Sequence, residues 1–146
     1  MSYSNRKNTE AKKAKALRII MAVLYFIEVV LTTFPFMRGV DENGVIEQLT
    51  AFEIVIQPGG YDNAAGVKLA LIFAVLLLFP IVCFFFCVLD KSIVKNIVSV
   101  ACCFVCACII TFGIGMMIDI GALVSLLLYI LILFVSTANM NITLKS

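Results

Sequence analysis

The chain of 146 residues is 63% hydrophobic and only 14% charged, with a net charge of +2 and a mean hydropathy of +1.13. Soluble domains are about half apolar and about a quarter charged, so a chain this apolar needs lipid around most of its surface. The small net charge gives no reason to expect nucleic acid as a partner. The absence of histidine removes the commonest general base and the commonest metal ligand.

Four apolar stretches have the length of about 20 residues that a membrane-spanning helix requires. The last two form one long apolar run that is broken by Asp119 and by nearby glycines, which predict a tight turn. We therefore predict an all-α fold, with one domain in which four transmembrane helices form a bundle and a short extracellular loop or ribbon joins the first two. Its parts are a cytoplasmic tail (1–16), a first span (17–37), an outer loop (38–68), a second span (69–89), a cytoplasmic loop (90–96), a third span (97–117), a fourth span (120–138) and a second tail (139–146).

The distribution of basic residues predicts the orientation of these spans. Arg38 and Lys68 fall on one side of the predicted membrane, and all the other lysines and arginines fall on the opposite side. Because cytoplasmic loops carry an excess of Lys and Arg, both termini are predicted to be cytoplasmic, and we expect the protein in the plasma membrane of a bacterial cell. The basic stretch 12–18 acts as a topology signal in this interpretation, and contact with anionic lipid is the alternative.

The outer loop contains two local signals. Residues 42–44, Glu-Asn-Gly, predict a tight turn because Asn-Gly accepts positive φ values. Thr50 followed three residues later by Glu53 is typical of a helix capping box. The β-branched run 54–56 favours a strand instead, so the sequence leaves 50–57 open between a short interfacial helix and a strand.

Glu28 lies inside the first span, where an ionised carboxylate costs about 2.5–3.5 kcal/mol. We expect it to be protonated unless a cation or water reaches it. Tyr25 and Thr32 share its helical face, and Tyr129 is predicted at equal depth on the fourth span. These four residues form the candidate proton or cation site.

A structural role is the alternative for Glu28. Pro80 on the second span leaves the carbonyl of Leu76 without its usual donor. A protonated Glu28 could donate a hydrogen bond to that carbonyl or to the hydroxyl of Tyr129. Such a bond would hold the helices in register and would carry no transport function.

Small residues recur at helical spacing on the predicted spans, and we interpret them as contacts that let helices approach closely. Packing within one bundle is the main interpretation, and a homodimer surface is the alternative. The residues concerned are Gly66, Ala70, Ala74, Gly121 and Ser125.

All six cysteines lie in apolar runs, so we infer no disulfide framework. Cys103 and Cys106 form a C-x-x-C spacing, which keeps a membrane thiol oxidoreductase open as a third hypothesis. Burial in a low dielectric suppresses thiolate formation, and cysteine also packs as a small apolar residue, which is the simpler interpretation.

Two local resemblances accompany these patterns. The first helix ends in Phe-Pro-Phe (34–36) and an outer loop follows with Leu-Thr-Ala-Phe-Glu-Ile (49–54), a layout that resembles uncharacterised small four-helix bacterial membrane proteins. The segment Glu28-Val29-x-x-Thr32-Thr33 is similar to the first helix of small multidrug resistance transporters. In that family the glutamate is the shared proton and drug site of an antiparallel dimer, and the resemblance implies this role for Glu28.

No motif indicates a catalytic residue, a metal site or a cofactor. We therefore expect a non-enzymatic accessory, assembly or sensing component of a membrane complex. Its expected partners are the lipid bilayer and a membrane protein or a second copy of the chain, without nucleic acid. A proton- or cation-coupled small-molecule transporter that uses Glu28 is the alternative function.

Overall fold

The computed structural model describes residues 3–40, 44–56, 63–90 and 92–145. Helices dominate this part of the chain, and one two-stranded antiparallel sheet interrupts them. In chain order the elements are α1 (Tyr3–Leu31), β1 (Pro35–Val40), β2 (Ile46–Thr50), α2 (Ala51–Ile56), α3 (Asn63–Leu89), α4 (Val94–Cys108) and α5 (Ile120–Lys145).

Three helical stretches among the described residues are long and apolar enough to cross a membrane: Leu69–Leu89, Val94–Ile114 and Ile120–Leu144. Their outward faces carry large exposed apolar side chains, including Phe112, which is 85% exposed. Water would penalise such a surface, whereas lipid solvates it. The prediction of a largely helical membrane protein is thus confirmed. Helix α1 is not one of these three stretches; its apolar part follows Arg18, contains the charged residue Glu28 and ends at Leu31.

Helix α1 ends earlier than the predicted first span, 17–37. The helix stops at Leu31, and the hydroxyls of Thr32 and Thr33 donate to carbonyls three residues back at 2.6 and 2.7 Å. Pro35 then begins β1, because proline lacks the N–H that a continuing helix needs. The prediction was therefore wrong for the last residues of the span. The predicted tail is also helical from Tyr3 onward.

The outer loop folds into a hairpin followed by a short helix. Strands β1 and β2 pair antiparallel, with Arg38 opposite Gln48 and Val40 opposite Ile46. Of the predicted turn, Gly44 has a φ of +78°, and 41–43 lie outside the described residues. The hairpin lies in the loop for which the sequence predicts a hairpin-type turn and an outer ribbon.

The capping box predicted at the start of 50–57 is confirmed. The Glu53 carboxylate accepts from the Thr50 backbone N–H at 2.9 Å, and the Thr50 hydroxyl accepts from the Glu53 N–H at 3.1 Å. The Thr50 N–H and the Thr50 hydroxyl, each 2.9 Å from the carboxylate, hold the pKa of Glu53 below its ordinary value, since both bonds favour the ionised form. The open alternative is thus resolved as a helix, α2, over Ala51–Ile56, whereas Thr50 ends β2 and residue 57 lies outside the described residues.

The predicted turn between the last two spans is also present. Helix α4 widens into a π-helical stretch, Ile109–Ile114, and a 3₁₀ turn, Gly115–Met117, follows before α5. Gly115 has a φ of +56°, a conformation that glycine adopts without strain. Both flanking helices extend beyond their predicted limits, since α4 begins at Val94 and α5 continues to Lys145.

Helix α1 packs against α3 and α5, and α4 packs against the same two helices on their other sides. The hairpin lies at one end of this assembly, which we call the hairpin end. The opposite end contains the beginning of α4 and the last turns of α5, and we call it the basic end. Its side chains include Lys15, Arg18 and Lys95.

Candidate functional site

The Glu28 carboxyl lies inside the helix assembly and is 1% exposed. Its Oε2 accepts a hydrogen bond of 2.5 Å from the hydroxyl of Ser125 on α5. Its Oε1 has no hydrogen-bond partner. Neither Leu76 nor Tyr129 is bonded to it, so the partner differs from both that the sequence suggested. Ser125, which the sequence indicated only as a packing residue, is the group that ties Glu28 to a second helix.

Tyr25 is fully buried and turns toward α4. Its hydroxyl lies 2.5 Å from the Ser99 hydroxyl and 3.2 Å from the Cys103 sulfur. The Ser99 hydroxyl in turn lies 2.7 Å from that of Ser136 on α5. Three helices are therefore joined by hydroxyl contacts one turn away from Glu28.

The other two predicted members of the site make separate contacts. Thr32 is buried at the end of α1, and its hydroxyl donates to the carbonyl of Val29 within the same helix. Tyr129 is buried on α5, and its hydroxyl contacts the Cys106 thiol. The four residues predicted to share one site are thus all buried, and each has its own partner.

A further pair of polar side chains lies closer to the basic end. The Asn139 amide donates to the Asn96 side-chain oxygen at 3.2 Å, and both residues are almost completely buried. One further polar atom on each, Asn96 Nδ2 and Asn139 Oδ1, is buried without a partner. Buried polar atoms in folded proteins are usually hydrogen-bonded, so these two groups call for an explanation.

Together these groups form a column of buried polar side chains between α1, α4 and α5. From Ser125 to Asn139, α5 rises by about 21 Å, which is most of a hydrocarbon core of about 30 Å. We call this set the polar column; it consists of Tyr25, Glu28, Asn96, Ser99, Ser125, Ser136 and Asn139.

The sequence contained a signal for this column that the prediction missed. Asn96, Ser99, Cys103 and Cys106 recur at intervals of three or four residues, which places them on one face of α4. In a strongly apolar helix such a face is expected to turn away from lipid. A search for apolar runs alone treats each of these residues as an isolated exception.

The predicted small-residue contacts have different roles in the structure. A Cβ on Gly121 would collide with the carbonyl oxygen of Pro35, so this glycine allows α5 to approach β1. Ala70 and Ala74 are half-buried on α3, and the burial of Gly66 lies outside what the structure describes.

All six cysteines are free thiols. Cys103 and Cys106 contact different tyrosines, while Cys83 on α3 lies close to Cys102 on α4. The thiol pair that the fold brings together is therefore not the one with the C-x-x-C spacing. Among the described residues, no group of three or more potential ligands could hold a metal ion.

An ion pair lies at the hairpin end. Arg38 on β1 approaches Asp119 with 3.4 Å between Nη2 and Oδ1. The same carboxylate oxygen accepts from the Ile120 N–H at 2.7 Å, and the Asp119 N–H donates to the Phe36 carbonyl at 3.2 Å. The bond from Ile120, with Arg38 second, holds the pKa of Asp119 below its ordinary value. Asp119 thus joins the hairpin to the start of α5.

Comparisons with known proteins leave the function to be argued from this geometry. No family model matches the chain, and neither a curated protein nor a solved structure matches it significantly. The resemblances to small four-helix membrane proteins and to small multidrug resistance transporters therefore stay predictions.

Proposed function

We propose that the chain is a four-helix bundle of the bacterial plasma membrane, with α1 as a fourth span and both termini in the cytoplasm. The outward face of α1 supports this topology, because Val23, Phe26 and Val30 are 44–58% exposed and apolar. The one acidic residue within this apolar half, Glu28, is turned inward. The excess of Lys and Arg at the basic end favours a cytoplasmic location for that end.

Within this topology the function that the geometry favours is that of a non-enzymatic accessory, assembly or sensing component of a membrane complex. The observation that carries it is the closure of the assembly around Glu28, which is 1% exposed and bonded to Ser125. A carboxyl held in this way ties α1 to α5 and is buried from the molecular surface. Such a bond stabilises one arrangement of the helices, as an accessory protein requires.

One observation favours proton- or cation-coupled transport as a second candidate. Glu28 Oε1 has no partner, and the polar column extends from this carboxyl toward the basic end. Polar side chains that line a path in a membrane protein are typical of proton relays. If the column opened to water, Glu28 could exchange a proton from the basic end.

Infrared difference spectroscopy of the protein in lipid nanodiscs, with Glu28→Gln as the reference, separates the two functions. The accessory function predicts a carboxyl band that is constant between about pH 5 and 9 and does not exchange with deuterated water. Transport predicts titration near neutral pH, exchange with deuterium, and proton flux into liposomes that Glu28→Gln abolishes. Deuterium exchange or Glu28-dependent proton flux would contradict the accessory function and support transport.

A positive test of the accessory function uses a photoreactive side chain on α2. Phe52 is 51% exposed at the hairpin end, and Leu123 on α5 is 54% exposed, which makes Leu123 the matched control. We expect a discrete protein adduct from position 52 in native membranes and none from position 123. The cross-linked partner should also be less abundant, or fail to assemble, in cells that lack this chain. Unchanged abundance and assembly of the partner in those cells would contradict an accessory role.

A further inference from the structure

A cleft of about 430 Å³ opens at the basic end between α1, α4 and α5. Among the described residues, its wall contains the cationic side chains Lys15, Arg18 and Lys95 and no carboxylate. The Lys95 ammonium donates to the carbonyl of Ser92 at 2.6 Å, and Asp90 lies near Lys95 outside the cleft lining. The three cations on the cleft wall leave an excess of positive charge, which favours an anion in the cleft.

The floor of the same cleft offers an unsatisfied acceptor. Asn139 lines the cleft and is 1% exposed, and its Oδ1 has no hydrogen-bond partner. The amide already donates to Asn96, so a ligand that bears a hydroxyl could satisfy the remaining oxygen. The cleft therefore presents positive charge together with one acceptor for a donor group.

An apolar groove of about 420 Å³ runs along the outside of α1 and α3 and shares Arg18 with this cleft. Ala22 and Phe26 on α1 and Phe84 and Val88 on α3 line it. From Arg18 to Phe26 the helix rises by about 12 Å, so the groove extends from the charged cleft toward the middle of the span. A basic cleft and an apolar groove thus meet at one arginine.

We propose that the cleft and the groove together bind one anionic phospholipid. The phosphate lies between Arg18, Lys15 and Lys95, a headgroup hydroxyl donates to Asn139, and one acyl chain follows the groove to Phe26. Arginine forms paired hydrogen bonds with phosphate oxygens, and basic pockets between transmembrane helices are suited to such headgroups. The groove favours a lipid over free phosphate, because inorganic phosphate has no acyl chain that could occupy it.

This site rests on α1 lying in the membrane, as proposed above, but not on which end is cytoplasmic. Native mass spectrometry in detergent tests it independently of orientation, with phosphatidylglycerol and phosphatidylcholine of identical acyl chains. We expect preferential retention of phosphatidylglycerol by the intact chain. Retention of both lipids to the same extent would overturn the proposal.

Two substitutions test the two parts of the site. Arg18→Gln should weaken phosphatidylglycerol binding by about fivefold, the contribution of one basic residue near an anionic lipid. Lys13→Gln is the matched control, because Lys13 is exposed on the same helix and does not line the cleft. Ala22→Phe fills the groove without changing charge and should also weaken binding.

An equal loss in Lys13→Gln would show a diffuse charge effect, and unchanged binding in Ala22→Phe with competition by millimolar inorganic phosphate would show a free-phosphate site. Helix content and thermal unfolding of each variant without lipid verify folding. A lipid that binds the folded chain should raise its unfolding temperature by mass action, and Arg18→Gln should reduce that shift.

Discussion

At the scale of single residues, Ser125 tests whether the Glu28 contact holds the helices together. Ser125→Ala removes the only donor to the carboxyl among the described residues and should lower the free energy of unfolding by about 1 kcal/mol, the range found for hydrogen bonds between membrane helices. Thermal unfolding in detergent measures the change. Thr137→Val is the control on α5, because its hydroxyl donates only to carbonyls of its own helix. Equal effects of the two changes would contradict a helix-joining role.

Residue-level prediction from the sequence succeeded for burial and failed for partners. An intramembrane carboxylate is expensive, so the inward position of Glu28 followed from its place in an apolar run. Its bond to Ser125 depends on the rotation of α5 about its own axis, and an apolar run gives no such rotation. The polar side chains of α5 itself, Ser125, Ser136 and Asn139, would have supplied it.

At the scale of elements, the approach of α5 to β1 depends on Gly121. A Cβ there would collide with the backbone carbonyl of Pro35, and backbone cannot yield as a flexible side chain does. Gly121→Ala should therefore destabilise the protein by about 1–3 kcal/mol, the cost of overpacking. Gly113→Ala is the control, because its Cβ would meet side-chain atoms at 3.8 and 3.9 Å, ordinary contacts. Similar unfolding temperatures for the two variants would show that β1 can shift to accommodate the added methyl group.

The junction between the hairpin and α5 should respond to acid. Because the pKa of Asp119 is lowered in the folded protein, its carboxylate stabilises the fold fully above the ordinary pKa, about 4. This stabilisation is lost as the pH falls through the folded-state pKa, when Asp119 becomes protonated. Unfolding temperatures of the wild type and Asp119→Asn should differ above pH 4 and converge at lower pH. A difference in unfolding temperature that stays constant across this pH range would show that the substitution acts through packing and not through the charge of Asp119.

The element boundaries show why a periodicity argument reaches its limit at helix ends. The apolar run through 34–37 looked like continuing helix, but Pro35 begins a strand whose side chains Phe36 and Met37 are buried. Residues 51–56 form a helix although three of them are β-branched, because the capping box favours a helix start at this point. Local hydrogen-bonding groups decided both cases, and hydropathy decided neither.

At the scale of the whole molecule, the proposed topology can be tested by reporter fusions. Alkaline phosphatase fused after Lys145 should be inactive and green fluorescent protein at the same position should fluoresce, if that terminus is cytoplasmic. Phosphatase inserted at Gly44 in the hairpin should be active. The reverse pattern would contradict the assignment from Lys and Arg, and activity at both positions would show an even number of spans between Gly44 and Lys145.

The distribution of hydrogen bonds has a mechanical consequence. Among the described residues, the side-chain hydrogen bonds between long helices join α1, α4 and α5, and α3 contributes only the thiol contact of Cys83. Ring contacts such as Phe36–Phe73 and Phe26–Phe84 hold α3 instead, and dispersion has little directionality. Shear between α1, α4 and α5 therefore breaks directional hydrogen bonds, whereas a displacement of α3 disturbs mainly apolar contacts.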